Sequence, residues 1–244
     1  MEFSADKLIM TREHRNINDI RTFTFTSWND MLDHIDSNPS IYVAINAEKI
    51  ISASDKLKAL INNNTGYCDG FGAVKVLRRK GLTDTVRLPG CELWLHIIER
   101  HHKDWKFYII GASPETHRQT IEKLKTEYPD INIVGHRDGF IKTDEDKEKL
   151  IADIKEKQPQ AVFVAMGTPK QEFLMEQLKE VCPGAVYVGL GGSYDVYTGN
   201  VKRAPKIWQN LGIEFMYRFI KNPSRWRRQF NYAIFTYRYL LNKL

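Results

Sequence analysis

Five short, almost wholly apolar runs recur along the chain: IYVAIN at 41–46, KFYIIG at 106–111, INIVG at 131–135, VFVAM at 162–166 and VYVGL at 186–190. Each is rich in β-branched and aromatic residues and too short for a buried helix. Each therefore reads as a strand covered on both faces. Helical patterns separate them, at Ser54–Asn63, Phe71–Lys80, Gly90–His102, Pro114–Tyr128, Asp144–Lys157 and Pro169–Val181. The last opens with proline at a first-turn position. Strand and helix in alternation predict an α/β fold, a mostly parallel sheet with helices on both faces. Ligands of such sheets bind beyond the carboxyl ends of the strands.

The residues at those ends carry the chemistry. The first run closes on Asn46, the second on Gly111-Ala-Ser-Pro, the fourth on Gly167-Thr-Pro-Lys and the fifth on Gly191-Gly192-Ser-Tyr-Asp195. Glycine lets backbone approach a ligand closely, and the helix starts that follow offer N–H groups to an anion such as phosphate. Any one of these glycines could instead merely turn the chain after its strand; it is their recurrence at one sheet edge that favours an anionic ligand. GLGGSYD is not the dinucleotide-binding G-x-G-x-x-G, and no Walker lysine motif is present, which weighs against dehydrogenase and P-loop chemistry. TDED at 143–146 contains a D-x-D, but its place ahead of KEKL predicts helix capping, with no metal expected there. The seven histidines show no metal-ligand spacing, and His101-His102 reads as solvated. In GYCDGFGAV, Asp69 follows a short extended stretch and precedes two glycines; it reads either as a helix cap or as a general base.

Hydrophobic residues at 42% and charged residues at 27% are ordinary for a soluble globular chain. Cys68, Cys91 and Cys182 form no CxxC pair, which fits a reducing cytoplasm better than a disulfide scaffold. The opening MEFSADKLIMTREHRN has no apolar core of a signal peptide, and no run approaches the length of a membrane span. Charge is unevenly spread. Residues 202–244 hold ten Lys/Arg and one acid, Glu214, a net +9, which leaves −3 for residues 1–201. The boundary falls near Val201–Pro205, dividing a 1–201 core from a 202–244 helical appendage broken at Asn222-Pro223. Arginines interleaved with aromatic residues suit a membrane interface, a nucleic-acid groove or a packed hairpin with a solvated basic face.

Eight stretches occur in a telling order: AINAEKI (44–50), CDGFGAV (68–74), RLPGCELW (87–94), the IIG strand end (109–111), VAMGTPKQE (164–172), GGSYDVYTG (191–199), KRAPKIWQ (202–209) and EFMYRFIKNPSRWRRQ (214–229). Together they resemble the bacterial glycosyltransferase family that includes the teichoic acid linkage N-acetylmannosaminyltransferase. The resemblance covers nearly everything after about residue 40 and is closest to members that move N-acetyl-D-mannosaminuronate in enterobacterial common antigen assembly. It implies a Rossmann-like core with a membrane-facing appendage, on the cytoplasmic face of the inner membrane.

The implied reaction is inverting transfer from a UDP-sugar to GlcNAc-diphospho-undecaprenol, without a metal or other cofactor and without nucleic acid as partner. N-acetylmannosamine or another hexose, for teichoic acid, capsule or exopolysaccharide, is the alternative donor sugar. The resemblance makes Asp69 the base. It places substrate contacts at Asn46, Arg87, Gln171 and the appendage arginines Arg218, Arg225 and Arg228. Lys170, beside Gln171, is read as a further donor at the start of its helix. Cys68 stands where the family usually has alanine, and Ala44 where some members have a catalytic threonine. Truncation after Lys202 is expected to abolish transfer and leave a folded core. Homo-oligomerisation is left open.

Overall fold

The computed structural model describes residues 12–210, 216–217, 220 and 226–244. The fold is α/β, an eight-stranded, mostly parallel sheet flanked by helices. The chain divides into two compact units. One comprises Arg12 with Ser27–Val43 and Gly90–Val201; the other comprises Glu13–Thr26, Ala44–Pro89 and Lys202–Leu244.

In the first unit the strand order is β3 (Ile41–Ile45, whose last two residues belong to the second unit), β8 (Val186–Gly189), β7 (Ala161–Ala165), β5 (Lys106–Gly111) and β6 (Asn132–Arg137), all parallel. Every residue of β7 is buried, as expected of a central strand covered on both faces. Trp94, on α5 (Gly90–His101), is fully buried and meets Phe163, Tyr194 and Tyr197 edge-on, with centroids 5.9, 5.3 and 5.1 Å away. Burying a side chain of this size stabilises by roughly 1.5–3 kcal/mol. The register aligns Gly111 with Ala165 and Val164 with Gly189, so the carboxyl ends of β5, β7 and β8 share one edge.

The second unit orders β1 (His14–Ile17), β2 (Ile20–Phe23) and β4 (Thr65–Cys68). β1 and β2 form an antiparallel hairpin, and β2 pairs parallel with β4. Asn18 and Asp19, both at positive φ, make its two-residue turn, the backbone that matches the right-handed strand twist. Helix α2 (Ala47–Ser52) follows β3, and α4 (Phe71–Arg79) follows β4. The last helix, α11 (Trp226–Leu240), packs against α2.

Most predicted elements lie within two residues of those observed. Helix α7 (Asp144–Lys157) matches its predicted bounds and carries a capping box between Thr143 and Asp146, as TDED implied. The β1–β2 hairpin, α1 (Trp28–Ser37) and α2 went unpredicted. Pro169 is the N-cap of α8 (Lys170–Val181), one position before the expected first turn. His101 is not merely solvated: its Nε2 lies 2.8 Å from Asp36 Oδ1, and its ring stacks on Trp105 at 3.8 Å. No described helix is long and apolar enough to cross a membrane.

Candidate active site

Two groups of predicted residues form, one in each unit. In the second, β3 and β4 end side by side. The carbonyl of Ile45 accepts from Asp69 N–H at 3.1 Å and Gly70 N–H at 3.2 Å, which turns the chain sharply after β4. A side chain at Gly70 would come within 3.1 Å of Asn46 Cβ, a tight contact that glycine avoids. The N-cap of α4 is Gly70, which has no side chain to cap with, so Asp69 stands one residue ahead of the N-cap position. Asn46 does cap: its Oδ1 accepts from Lys49 N–H at 3.0 Å and fixes the start of α2.

Arg87 joins this group from the segment after α4. Its Nε donates to the Asp69 carbonyl at 2.8 Å, and its guanidinium lies 5.0 Å from the centroid of the Phe71 ring. The next residue, Leu88, donates its N–H to the Cys68 carbonyl at 2.8 Å. Arg87 thereby locks the backbone of Asp69 while keeping its positive charge beside it. Cys68 is 2% exposed; burial, and then the Asp69 charge, push its thiol well above the ordinary range. It stays protonated, which suits a packing role and not a nucleophile. Ala44, two residues before Asn46, is half-buried on β3.

In the first unit, the strand-end glycines adopt backbone that side chains rarely reach. Gly111 has φ +116°, and a Cβ there would sit 2.3 Å from the Ala165 carbonyl oxygen. Gly167 (φ +78°) and Gly191 (φ +58°) instead front open space. Gln171, 4% exposed on α8, ties these two corners together. Its Oε1 accepts from Gly167 N–H at 3.1 Å and from Gly191 N–H at 2.9 Å. Its Nε2 donates to Glu172 Oε1 at 3.2 Å, which also accepts from the Thr168 hydroxyl at 2.9 Å. Gln171 is thus a brace between loops, a role its place in the sequence does not reveal. Lys170, next to it, is exposed.

Gly192 caps the short helix α9 (Ser193–Tyr197), which carries Asp195. Asp195 Oδ1 accepts from the Thr116 hydroxyl at 3.0 Å, and that hydroxyl accepts from Asn200 Nδ2 at 3.2 Å. Thr116 and Asn200 escaped the sequence reading. The only signal was Ser113-Pro114, the N-cap and first residue of α6 (Pro114–Glu127), whose first turn holds Thr116. Asp146 is held by Arg137 at 2.6 Å, and that bond keeps its carboxyl well below the ordinary range. Arg218 and Arg225 lie outside the described residues, as does the side chain of Arg228, whose backbone belongs to α11.

A family model described as Glycosyl transferase WecG/TagA/CpsF family matches residues 16–244. Its span includes Asn46, Asp69, Arg87, the Gln171 brace and the whole tail. Membership makes the chain a hexosyltransferase of cell-surface polysaccharide assembly, with a nucleotide-sugar donor and a polyprenyl-linked acceptor. The chain belongs to the WecG/TagA/CpsF family of glycosyltransferases.

Proposed function

We propose that the protein transfers N-acetyl-D-mannosaminuronate, with inversion and without a metal, from its UDP donor to GlcNAc-diphospho-undecaprenol. Asp69 is the base in this reading. It takes the proton of the GlcNAc 4-hydroxyl as that oxygen attacks the anomeric carbon, and UDP departs from the opposite face. Inversion needs one base on the acceptor side and no second carboxylate as nucleophile. The observation that carries the assignment is that Asp69 follows a strand end, leaves the α4 cap to Gly70, and has its own backbone clamped by Arg87.

Charge on the departing diphosphate falls to arginines: Arg87, with Arg218, Arg225 and Arg228 of the tail. Nucleotide contacts are assigned to the glycine corners at Gly111, Gly167, Gly191 and Gly192, with Lys170 and Asp195 beside them. The acceptor's lipid brings the tail to the cytoplasmic surface of the inner membrane. In support, α11 leaves Phe230, Ile234, Tyr237 and Leu240 exposed, and Leu241 just after it is exposed as well.

The test is UDP release with a short-chain GlcNAc-diphospholipid, from UDP-N-acetylmannosaminuronate and from UDP-N-acetylmannosamine, in wild type and Asp69→Asn. The expected result is release from the uronate alone, slowed about 10²–10⁴-fold in Asp69→Asn. Release from the neutral sugar alone would move the protein to a different polymer. Unchanged turnover in Asp69→Asn would remove the base.

A further inference from the structure

The motif CDGFG contains a second glycine, Gly72, that neither the Asp69 turn nor the reaction explains. Gly72 is the second residue of α4 and carries no positive φ, so alanine would ordinarily be favoured there. Its surroundings account for the glycine. A Cβ at Gly72 would lie 2.8 Å from both Cε1 and Cζ of Phe235 and 3.6 Å from Ala47 Cβ. Phe235 is 7% exposed and sits midway along α11, while its helix neighbours Ile234 and Tyr237 are exposed. Its ring stacks against Tyr239 at 6.3 Å.

The contact is anchored from the C-terminal end of α11. Arg79, in the last turn of α4, lies 3.5 Å from the centroid of the Tyr239 ring and donates to the Asn242 side chain at 2.7 Å and to the Tyr239 carbonyl. Arg238 donates to Asn18 Oδ1 at 3.2 Å. Side chains of α11 thus reach α4 at two points, Phe235 at its first turn and Tyr239 at its last. Ala47 and Gly72 open the helices that follow Asn46 and Asp69, and the Phe235 ring closes the space at their junction.

We propose that Phe235 is a positioning residue, holding the first turn of α4 and with it the backbone that presents Asp69. It acts through Gly72 and touches no reacting atom. The catalytic consequence rests on the reading of Asp69 as base; the mechanical one does not.

The experiment uses the full chain as wild type, Gly72→Ala, Phe235→Leu and the double variant. It reads amide hydrogen exchange over residues 66–78, thermal melting, and kcat and KM for UDP release. In Gly72→Ala the new methyl pushes against the ring. Exchange over residues 69–73 is expected to rise at least tenfold, and kcat to fall at least tenfold with donor KM within threefold. Leucine in place of Phe235 makes room. The double variant should regain kcat to within threefold of Phe235→Leu and, with helix propensity now favouring alanine, melt a few degrees above it.

Wild-type kcat in Gly72→Ala, or a loss that the double variant does not recover, overturns the proposal. So does faster exchange with kcat unchanged, which reduces the contact to packing. If wild type releases no UDP from any UDP-N-acetylhexosamine, the reading of the reaction has failed. The exchange arm still decides the contact: exchange that rises in Gly72→Ala and returns in the double variant upholds it, and unaltered exchange overturns it.

Discussion

Gln171 Oε1 accepts the backbone N–H of Gly191 at 2.9 Å, across twenty residues of sequence, while also accepting the N–H of Gly167 at 3.1 Å. One amide oxygen thus sets the spacing of two loops that both front open space. Glu172 fixes the amide's orientation by accepting from its nitrogen. A side chain at Gly189 would strike that nitrogen at 2.5 Å, so the strand beneath the brace is also glycine.

Replacing Gln171 by leucine leaves two backbone donors without their acceptor. Each such loss costs about 1–3 kcal/mol, toward the lower end where water reaches the group. Urea denaturation should show a loss of about 2–4 kcal/mol, and donor KM should rise as the corners separate. Gln171→Glu gives a different signature, because it sets a second carboxylate beside Glu172. It should cost more stability than Gln171→Leu in the same urea titration, because like charges then face each other; an equal loss would remove the Glu172 contact from the account.

Arg87 should resist conservative replacement. Lysine keeps the charge but has no Nε–H for the Asp69 carbonyl and no flat guanidinium for the Phe71 ring. Both Arg87→Lys and Arg87→Ala are expected to lose about 1–2 kcal/mol of stability. UDP release should fall about 10²-fold or more in both, with lysine recovering less than a tenth of the wild-type rate. Recovery to near wild type in Arg87→Lys would show that charge alone matters.

The sheet was legible where physics left a sharp trace. The runs at β5, β7 and β8 are buried on both faces, and only unbroken apolar residues satisfy that. The hairpin was not. HRNI and IRTF are four-residue strands that mix charged and apolar side chains, and the Asn18-Asp19 turn was its one mark. Asp69 could be placed at a strand–helix junction, yet whether its carboxylate capped α4 depended on the turn geometry at Gly70. The brace at Gln171 is not legible in sequence, because a first-turn amide looks the same whether it faces a ligand or two backbone donors. Phe235 gave no hint, since its partner Gly72 lies more than 160 residues away in the chain.

Acid should weaken the fold through His34. Burial first, then the nearby Arg12 charge, lower its pKa to about 4, while Asp30 pulls the other way. Asn38 Nδ2 lies 3.2 Å from His34 Nδ1, the arrangement expected of a neutral ring accepting a hydrogen bond, and Tyr42 meets the ring edge-on. The unfolded chain takes up this proton near pH 6.5 and the folded chain only near pH 4. The stabilisation is therefore complete above about pH 6.5 and lost as pH falls toward 4. The loss amounts to about 3 kcal/mol. His117 and His136 are also shifted down by burial and add to the same trend. His34→Gln should flatten the wild-type profile between pH 7 and 4.5 in urea titrations; parallel profiles would refute the assignment.

The last helix should bind lipid through one stripe. Phe230, Ile234 and Tyr237 are spaced for one face of the helix, with Leu241 just beyond its end, and each is at least 40% exposed, while Phe235 turns inward. A soluble surface seldom carries such a row without a partner. The tail's net +9 favours anionic headgroups. Full-length protein is expected to sediment with vesicles containing anionic phospholipid and to be released from neutral ones, with binding weakened by salt. Taking two apolar side chains out of the interface removes about 3–6 kcal/mol if both are fully inserted and less if they lie shallow. Ile234→Ser with Tyr237→Ser should therefore lower partitioning roughly 100-fold or more, with the circular dichroism of the folded chain unchanged because neither side chain is buried. Equal sedimentation of the double variant would assign binding to the basic residues alone. Sedimentation with DNA in place of vesicles would reassign the stripe and the charge together.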